Sequence, residues 1–310
     1  MYKYLFGPVN SRRLGISLGV DLVPYKICNL NCVYCESGLT TKLTNDRKEY
    51  IPALKIIAEL SELLKSKPKL DYITFSGAGE PLLNSGFISV LNAIKHSYPQ
   101  YKTALITNGT LFNLPDVRRE VKAIDLIMPS LDAVWQQSFT NVNRPHNDLN
   151  INSIIEGLIA LRSEFSGQIW LEYFVVPGIN DSMEELLFAK EVFNKIKPDK
   201  IQLNSLDRPG TEGWVVKADY EKLLEIQQIM LPLTTEIISR KPVRCQSINT
   251  SFNQYDSIFE TIKRRPSTIN DLLLTTSLNE EKLIQLVNTL LSEGKIVCTE
   301  INGSTFYSVN

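Results

Sequence analysis

Three cysteines lie close together near the start of the chain, at Cys28, Cys32 and Cys35. Thiolates are the protein ligands of iron–sulfur clusters, and three of them can hold three corners of a [4Fe–4S] cube. The fourth iron then has no thiolate and is open to a small molecule. Tyr34 directly precedes the last cysteine, and we expect its ring beside that molecule. The spacing C-x3-C-x2-C therefore predicts a cluster with one reactive iron.

Other uses of three cysteines fit the sequence less well. A structural zinc site takes four Cys or His ligands, and the chain has only two histidines, His96 and His146. Packing in a hydrophobic core does not require such regular spacing. Disulfides form in oxidising compartments, whereas the N-terminal residues lack the apolar core of a secretory signal. Since we also find no apolar run of about 18 residues, we expect a cytoplasmic protein that does not enter a membrane.

A glycine-rich turn follows a short strand pattern at residues 72–76 and reads Gly77-Ala78-Gly79-Glu80. Glycine allows unusual backbone angles and close approach by a ligand. Successive backbone groups in such a turn can face a charged group. The sequence thus indicates a second ligand-binding element, although an ordinary turn after a strand is the alternative.

Apolar runs with strand and helix periodicity alternate from residue 15 to residue 230. Strict alternation favours an α/β fold with a parallel sheet, and six strands predict a partial (β/α)6 barrel. Active sites of parallel barrels lie at the carboxyl ends of the strands, where both motifs fall. The predicted strands are 15–23, 72–76, 103–107, 126–130, 169–176 and 200–206.

The cysteine and glycine motifs together resemble those of the radical S-adenosylmethionine (radical SAM) superfamily. The resemblance implies two cofactors, a [4Fe–4S] cluster and SAM. It implies that Cys28, Cys32 and Cys35 ligate iron, and that Gly77, Ala78, Gly79 and Glu80 hold the SAM amino group. It further implies that a flavodoxin or ferredoxin supplies an electron, that SAM is cleaved to a 5′-deoxyadenosyl radical, and that this radical takes a hydrogen atom from a substrate.

Polar residues at later strand ends complete the pocket that the resemblance implies. Asn108, Ser130 and Asp132 resemble the superfamily's contacts to the SAM ribose and carboxylate. Val176 and the backbone of Leu203 are expected near the adenine. Because asparagine, serine and aspartate are also common turn formers, ordinary turn chemistry is the alternative for the first three.

Two charged residues are candidates for catalysis. Glu172 is a carboxylate within an apolar strand, and a charge buried in a sheet is costly unless it is paired. We expect it to face the barrel interior near SAM or substrate, with a strand-edge salt bridge as the alternative. Arg144 follows the fourth predicted strand and could bind a carboxylate or phosphate bidentately, or form a surface ion pair.

Further segments at 7–15, 23–26, 143–146 and 207–209 resemble Fe–S oxidoreductases grouped with the wyosine-forming tRNA-modifying enzymes. Those enzymes carry additional cysteines for a second cluster. Only Cys245 and Cys298 remain here, and two thiolates cannot hold an ordinary cluster alone, which argues against wyosine chemistry. Cys245 is expected to pack, with hydrogen-atom donation or substrate anchoring as alternatives, and Cys298 is expected in a core.

The domain prediction is a radical SAM barrel at 1–242, a linker at 243–251 and a winged helix-turn-helix-like domain at 252–310. The last domain is predicted from three helices and a hairpin around Asn302-Gly303. Residues 250–310 hold five Lys/Arg and seven Asp/Glu, and DNA affinity depends on phosphate contacts from basic side chains. A protein or peptide partner, or a cover for the barrel, is therefore favoured over DNA.

The sequence leaves the substrate open among an RNA base, a peptide or protein, and a small molecule. Two other functions stay open at this point. One is an activase or maturase that modifies a partner protein. The other is a non-enzymatic Fe–S sensor that binds DNA through the winged domain. A formal net charge of −1 gives no global attraction to nucleic acid.

Overall fold

The computed structural model describes residues 2–238, 254–276, 278–301 and 303–309. The strands are β1 (Leu5–Ser11), β2 (Gly15–Val20), β3 (Ile27–Cys28), β4 (Lys42–Leu43), β5 (Tyr72–Phe75), β6 (Lys102–Thr107), β7 (Leu126–Pro129), β8 (Gln168–Phe174), β9 (Lys200–Asn204), β10 (Thr235–Ile237), β11 (Val297–Ile301) and β12 (Ser304–Ser308). The helices are α1 (Ala53–Leu64), α2 (Phe87–Ser97), α3 (Pro115–Glu120), α4 (Gln136–Asn143), α5 (Ile151–Glu164), α6 (Met183–Ile196), α7 (Tyr220–Ile229), α8 (Gln254–Arg264), α9 (Ile269–Thr275) and α10 (Glu280–Ser292).

Eight strands form one sheet in the order β1-β2-β5-β6-β7-β8-β9-β10. All neighbouring strands from β2 to β10 pair in parallel. The six predicted strands are therefore confirmed as β2, β5, β6, β7, β8 and β9, and with them the α/β class.

The two outer strands were not predicted. β1 pairs antiparallel with β2, and its Pro8 disfavours a strand assignment from sequence. Proline lacks a backbone donor and is tolerated on an edge strand, which is the position that β1 occupies. At the other edge, β10 is only three residues long, too short for a periodic signal.

Helices cover the outer face of the sheet with apolar side chains at helical spacing. In α1, for example, the side chains of Ile56, Leu60 and Leu64 are buried. The inner face carries a small apolar group that includes Leu126 and Met128, and polar residues nearer the strand ends. No helix within the described residues has the length and apolarity needed to cross a membrane.

The C-terminal unit, residues 254–309 as described, contains three helices followed by an antiparallel hairpin, as predicted. It has its own apolar core, which includes Ile258, Leu283 and Val287. The winged-helix identity of this unit stays a prediction. Both Cys245 and the predicted linker 243–251 lie outside the described residues.

The expectation that Cys298 is a core residue is wrong. Its side chain lies on β11 and is exposed. Its cross-strand partner Tyr307 packs against the core of the C-terminal unit, but Cys298 itself is not covered. The apolar run that precedes Cys298 therefore indicated a strand but not how far the cysteine is covered.

Gly157 of α5 shows how closely the helix packs on the turn of 3₁₀ helix Thr110–Asn113. A Cβ at Gly157 would lie 2.4 Å from the backbone nitrogen of Asn113 and 2.5 Å from the backbone carbon of Phe112. Alanine normally stabilises a helix relative to glycine. We predict instead that Gly157→Ala lowers the free energy of unfolding by about 1–3 kcal/mol, as overpacking does.

Urea denaturation followed by circular dichroism measures this change. The matched control is Gly213→Ala, because a Cβ at Gly213 would meet no atom within 4 Å. Equal stability of the two variants would show that α5 does not approach the turn as closely as described.

Candidate active site

A cavity of about 210 Å³ lies at the carboxyl ends of the parallel strands. Both sequence motifs reach it: the cysteine loop, residues 28–35, and the glycine turn, residues 77–80. Residues from the ends of β6, β7 and β8 complete its wall. The predicted site residues that line it are Cys28, Cys32, Tyr34, Cys35, Gly77, Ala78, Gly79, Glu80, Asn108, Ser130, Asp132 and Glu172.

Hydrogen bonds from two distant segments hold the cysteine loop. The segment 142–146 pairs with it through Asn31 N to Asn143 O and Val33 N to Val142 O, both at 2.9 Å. The loop after β9 contributes Thr211, whose hydroxyl donates to the carbonyl of Cys32 at 3.0 Å. The positions of the thiols therefore depend on residues more than 100 positions away in sequence.

Each cysteine sulfur has its own nitrogen donor. The ammonium of Lys26 lies 2.8 Å from Cys35 Sγ. The side-chain amide of Asn143 lies 3.3 Å from Cys32 Sγ. Cys28 Sγ accepts a long contact of 3.7 Å from Asn108 Nδ2, and the backbone nitrogen of Leu30 lies 3.5 Å from it.

Such donors suit thiolates rather than thiols, which themselves carry a proton. Burial, and next the nearby Glu80 carboxylate, raise the pKa of the Cys28 thiol to about 11. Burial likewise raises the pKa of Cys32. A bound metal reverses this balance, because coordination removes the thiol proton. Three half-buried cysteines with separate N–H donors therefore fit a metal cluster better than they fit free thiols.

Within the described part of the chain, no three His, Cys, Asp or Glu side chains converge on a position for a single metal ion. A cubane cluster has a different requirement, because each cysteine binds a different iron. Three thiols spread around one cavity agree with that requirement, whereas a zinc site needs its ligands around one centre. The donor set thus fits a cluster.

The glycine turn packs directly against the cysteine loop. Gly77 has φ +146°, and a Cβ there would lie 2.2 Å from Asp21 Oδ1. A Cβ at Gly79 would lie 2.0 Å from the carbonyl oxygen of Ile27. Side chains are therefore excluded at both positions, and the backbone of the turn forms part of the cavity wall.

The carboxylate of Glu80 is buried and accepts three hydrogen bonds from the chain. The donors are Leu82 N at 3.0 Å, the Thr107 hydroxyl at 2.7 Å and Asn108 N at 2.8 Å. Burial raises the pKa of Glu80 to about 7, against the effect of these donors. Since a carboxylate has about four acceptor positions, about one is left for a ligand.

Tyr34 and Asp132 form a linked pair on the opposite wall. The Tyr34 ring stacks on Phe174 with centroids 3.7 Å apart, and its hydroxyl donates to Asp132. Asp132 also accepts from Asn143 Nδ2 at 2.8 Å and from Phe174 N at 3.0 Å. Burial raises the pKa of Asp132 to about 6. Both residues are held in place by neighbours before any ligand binds.

Glu172 faces the barrel interior and is paired with Arg13. Its carboxylate also accepts from the Ser130 hydroxyl at 3.3 Å and from Asn204 Nδ2 at 3.4 Å. Arg13 comes from the turn between β1 and β2, so it reaches the site only because β1 folds back along β2. The charge of Glu172 is thus balanced inside the barrel, at the cavity wall.

Three predicted site residues lie outside this wall. Arg144 forms an ion pair with Glu212, which is the alternative that the sequence left open. The side chain of Val176 is buried in an apolar cluster with Tyr34 and Phe174. Leu203 is a core residue, and its carbonyl accepts from Ile238 N at 2.9 Å. None of these three residues is among the described residues that line the cavity.

Two residues at the thiols were missed by sequence reasoning. Asn143 directly precedes Arg144, so the correct segment was singled out but the charged residue was chosen over its neighbour. Lys26 is 3% exposed and stands two positions before the first cysteine. A lysine beside predicted metal ligands is the signal that could have indicated it, because buried lysines require a partner.

Comparisons with known proteins agree with this geometry. The family model described as the Radical SAM superfamily matches residues 22–189, which is more than half of the chain. The chain belongs to the radical SAM superfamily. It is 30% identical to a UPF0026 protein of Helicobacter pylori, over 98% of this chain and 96% of that one. A UPF0026 protein of Methanocaldococcus jannaschii is 29% identical, over 98% and 95%.

A protein of Brachyspira hyodysenteriae named GTPase Obg is 33% identical over 99% of this chain, which spans 45% of that protein's length. Among solved structures, a radical SAM methyltransferase from Sphaerobacter thermophilus has a TM-score of 0.57 and 17% identity, covering 71% of this chain and 65% of that one. Streptococcus suis SuiB bound to S-adenosylmethionine has a TM-score of 0.51 and 15% identity, covering 71% and 50%. These structures share the fold.

This radical SAM enzyme therefore takes a [4Fe–4S] cluster and SAM as cofactors, as the resemblance implied. Its superfamily also requires a reductant that delivers electrons. The cavity whose three cysteine sulfurs each have a nitrogen donor agrees with these cofactors.

Lys26 offers a test of the electrostatics at the cluster. An ammonium group ~5 Å from a cluster stabilises the reduced, more negative cluster. The stabilisation is on the order of 3 kcal/mol at a dielectric constant of about 20. We predict that Lys26→Met lowers the midpoint potential of the reconstituted cluster by on the order of 100 mV for one electron. Redox titration followed by EPR measures this, with Lys55→Met, a change at an exposed position of α1, as control. An unchanged or raised potential would show that Lys26 does not act on the cluster.

Asn143 offers a test of the link between the thiols and Asp132. Removing its amide leaves the buried Asp132 carboxylate and Cys32 each without one donor. We predict that Asn143→Ala costs about 1–3 kcal/mol of unfolding free energy and lowers the iron retained after reconstitution. The control, Asn141→Ala on the exposed side of α4, is expected to change stability by less than about 0.5 kcal/mol. If both variants behaved alike in urea denaturation and iron content, the assigned contacts would be wrong.

Proposed function

We propose that the protein cleaves SAM reductively and uses the resulting 5′-deoxyadenosyl radical to take a hydrogen atom from a substrate bound beside the cavity. The observation that carries this proposal is that three cysteine sulfurs lie at one cavity and that each has its own nitrogen donor. The glycine turn lines the same cavity. A flavodoxin or ferredoxin would deliver the electron.

When bound, the cluster supplies the electron that breaks a carbon–sulfur bond of SAM, giving methionine and the radical. Cys28, Cys32 and Cys35 would hold three of its irons and leave the fourth for SAM. The donors on the three sulfurs would orient the thiolates and balance part of their charge. The protein's contribution is thus to position the cofactors and keep competing reactions out.

The glycine turn is suited to the SAM amino group. Its backbone lies at the cavity wall without side chains at Gly77 and Gly79, and the remaining acceptor position of Glu80 is available to an ammonium group. A positive ligand there would lower the pKa of the buried Glu80 carboxyl, so that binding would stabilise its charged form.

The polar strand ends are suited to the remainder of SAM. Asn108, Ser130 and Asp132 lie together at the cavity wall and would contact the ribose and carboxylate. Tyr34, fixed by its stacking on Phe174, would border the ligand. Glu172 and its partner Arg13 lie at the inner end of this group, on the side where the substrate is expected.

The C-terminal unit is best explained as a cover for the barrel. Arg264 of α8 pairs with Asp21 at the end of β2, and Arg208 after β9 pairs with Asp271 of α9. These ion pairs join the unit to both sides of the barrel mouth.

The test is an anaerobic assay of 5′-deoxyadenosine with reconstituted protein, SAM and dithionite. We predict product from the wild-type protein and none above background from a variant with Cys28, Cys32 and Cys35 changed to alanine. The matched control is Cys298→Ala, which removes an exposed cysteine and is expected to keep full activity. Product from the triple variant, or a loaded cluster that leaves SAM intact in the wild type, would contradict the proposal.

A further inference from the structure

A second and larger cavity, of about 880 Å³, lies between the barrel mouth and the C-terminal unit. It shares Ser37, Ser76, Gly77 and Ile106 with the cavity of the cysteines, so the two adjoin. Its volume falls within the ~300–1,000 Å³ of small-molecule sites. A substrate in it would lie next to SAM while the C-terminal unit encloses it.

Five arginines line this second cavity, which we call the arginine cavity: Arg12, Arg13, Arg208, Arg264 and Arg265. The first two come from the β1–β2 turn and the third follows β9. The last two lie at the end of α8 and directly after it. The barrel and the C-terminal unit thus both contribute guanidinium groups to one enclosed space.

Four of these arginines have carboxylate partners. Arg12 pairs with Asp207 and Arg13 with Glu172, as Arg208 does with Glu36 and Asp271. Arg264 pairs with Asp21 and Glu260. These pairs fix the four side chains in place and balance their charge.

The fifth arginine differs from the others. Arg265 has no hydrogen-bonded or ion-paired carboxylate among the described residues, although Glu36 and Asp271 act on it electrostatically. Burial, and next the guanidinium of Arg208, lower the pKa of Arg265 to about 10, so it stays charged at neutral pH. Arg265 is half-buried. A cation that is partly removed from water and has no partner is unfavourable, and a bound anion would supply the partner.

The carboxylate pairs do not satisfy every guanidinium donor around this cavity. The Nε atoms of Arg208 and Arg264 are buried and have no hydrogen-bond partner within the described residues, although buried donors are nearly always satisfied in native structures. These two atoms are closed off from the cavity, so the group left for a ligand is the unpaired, half-buried guanidinium of Arg265.

We propose that the arginine cavity is the substrate site and that the substrate is a small molecule carrying a phosphate or carboxylate group recognised by Arg265. This inference rests on the proposed function and adds the substrate class to it. Guanidinium groups bind either anion through paired N–H donors. Asp256 and Glu280 also line the cavity, but Glu280 is exposed and Asp256 half-buried, so water screens them more than the inner arginines.

The test is a binding measurement on the oxidised, cluster-loaded protein with SAM present and no reductant. Isothermal titration calorimetry with inorganic pyrophosphate and with citrate separates phosphate from carboxylate recognition. We expect one of these anions to bind the wild-type protein, with affinity that falls as salt rises. Arg265→Gln should weaken that binding at least about tenfold, as expected for the loss of a charge-assisted pair.

Two further variants keep the result interpretable. Arg265→Lys retains the charge without the paired donors and should fall between the wild type and Arg265→Gln. Arg119→Gln removes an exposed arginine of α3 that pairs with Asp116, and should bind as the wild type does. Circular dichroism and iron content verify that each variant is folded and loaded.

Binding that is unaffected by Arg265→Gln, or the lack of any binding of either anion by the wild type, would overturn the inference. Because no reductant is present, the measurement does not depend on SAM cleavage. Anion binding through Arg265 in a protein that forms no 5′-deoxyadenosine would refute the proposed function and keep the anion site. Formation of 5′-deoxyadenosine by a protein that binds no anion through Arg265 would refute the anion site alone.

Discussion

The nitrogen donors directed at three half-buried cysteine sulfurs are the interaction on which the rest of this structure depends. Sulfur in an apolar environment favours its neutral form, and burial raises the pKa of Cys28 to about 11. The chain nevertheless directs an N–H donor to each sulfur, and one of these donors is the buried ammonium of Lys26. Such an arrangement favours sulfurs that carry negative charge, which is the situation in a thiolate-ligated cluster.

This interaction explains why distant segments converge on one short loop. The cysteine loop is held by the segment 142–146 and by the loop after β9 rather than by its own local structure. Asn143 bonds both to Cys32 and to Asp132, and Asp132 in turn holds Tyr34. Thiols, tyrosine and aspartate therefore form one network, and the barrel provides the rigid strand ends on which it is built.

Much of the fold could be predicted, because periodic apolar residues identify elements that are buried on one or both faces. All six inner strands were found this way. The edge strand β1 was missed because Pro8 argues against a strand, and β10 because three residues carry no period. Cys28, Cys32 and Cys35 could be singled out as candidate ligands by their spacing, since one short loop carries all three.

Contacts that depend on tertiary structure were less accessible. The partners of Cys32 and Glu172 are Asn143 and Arg13, each more than 100 positions away. Sequence reasoning favoured Arg144 because charge suggests function, but the chain uses the neutral amide beside it. Likewise, the formal net charge of −1 for the whole chain gave no sign of the five arginines that lie at one cavity. Four of them have carboxylate partners, which cancel their charge in the sum.

The most direct test of the central claim, a cluster held by three cysteines with one iron open to SAM, is iron-57 Mössbauer spectroscopy of the reconstituted protein before and after SAM is added. The account predicts that SAM changes the signal of one iron in four and leaves the others in their sulfur environments. A spectrum that SAM does not alter, or four equivalent irons in its presence, would contradict the account.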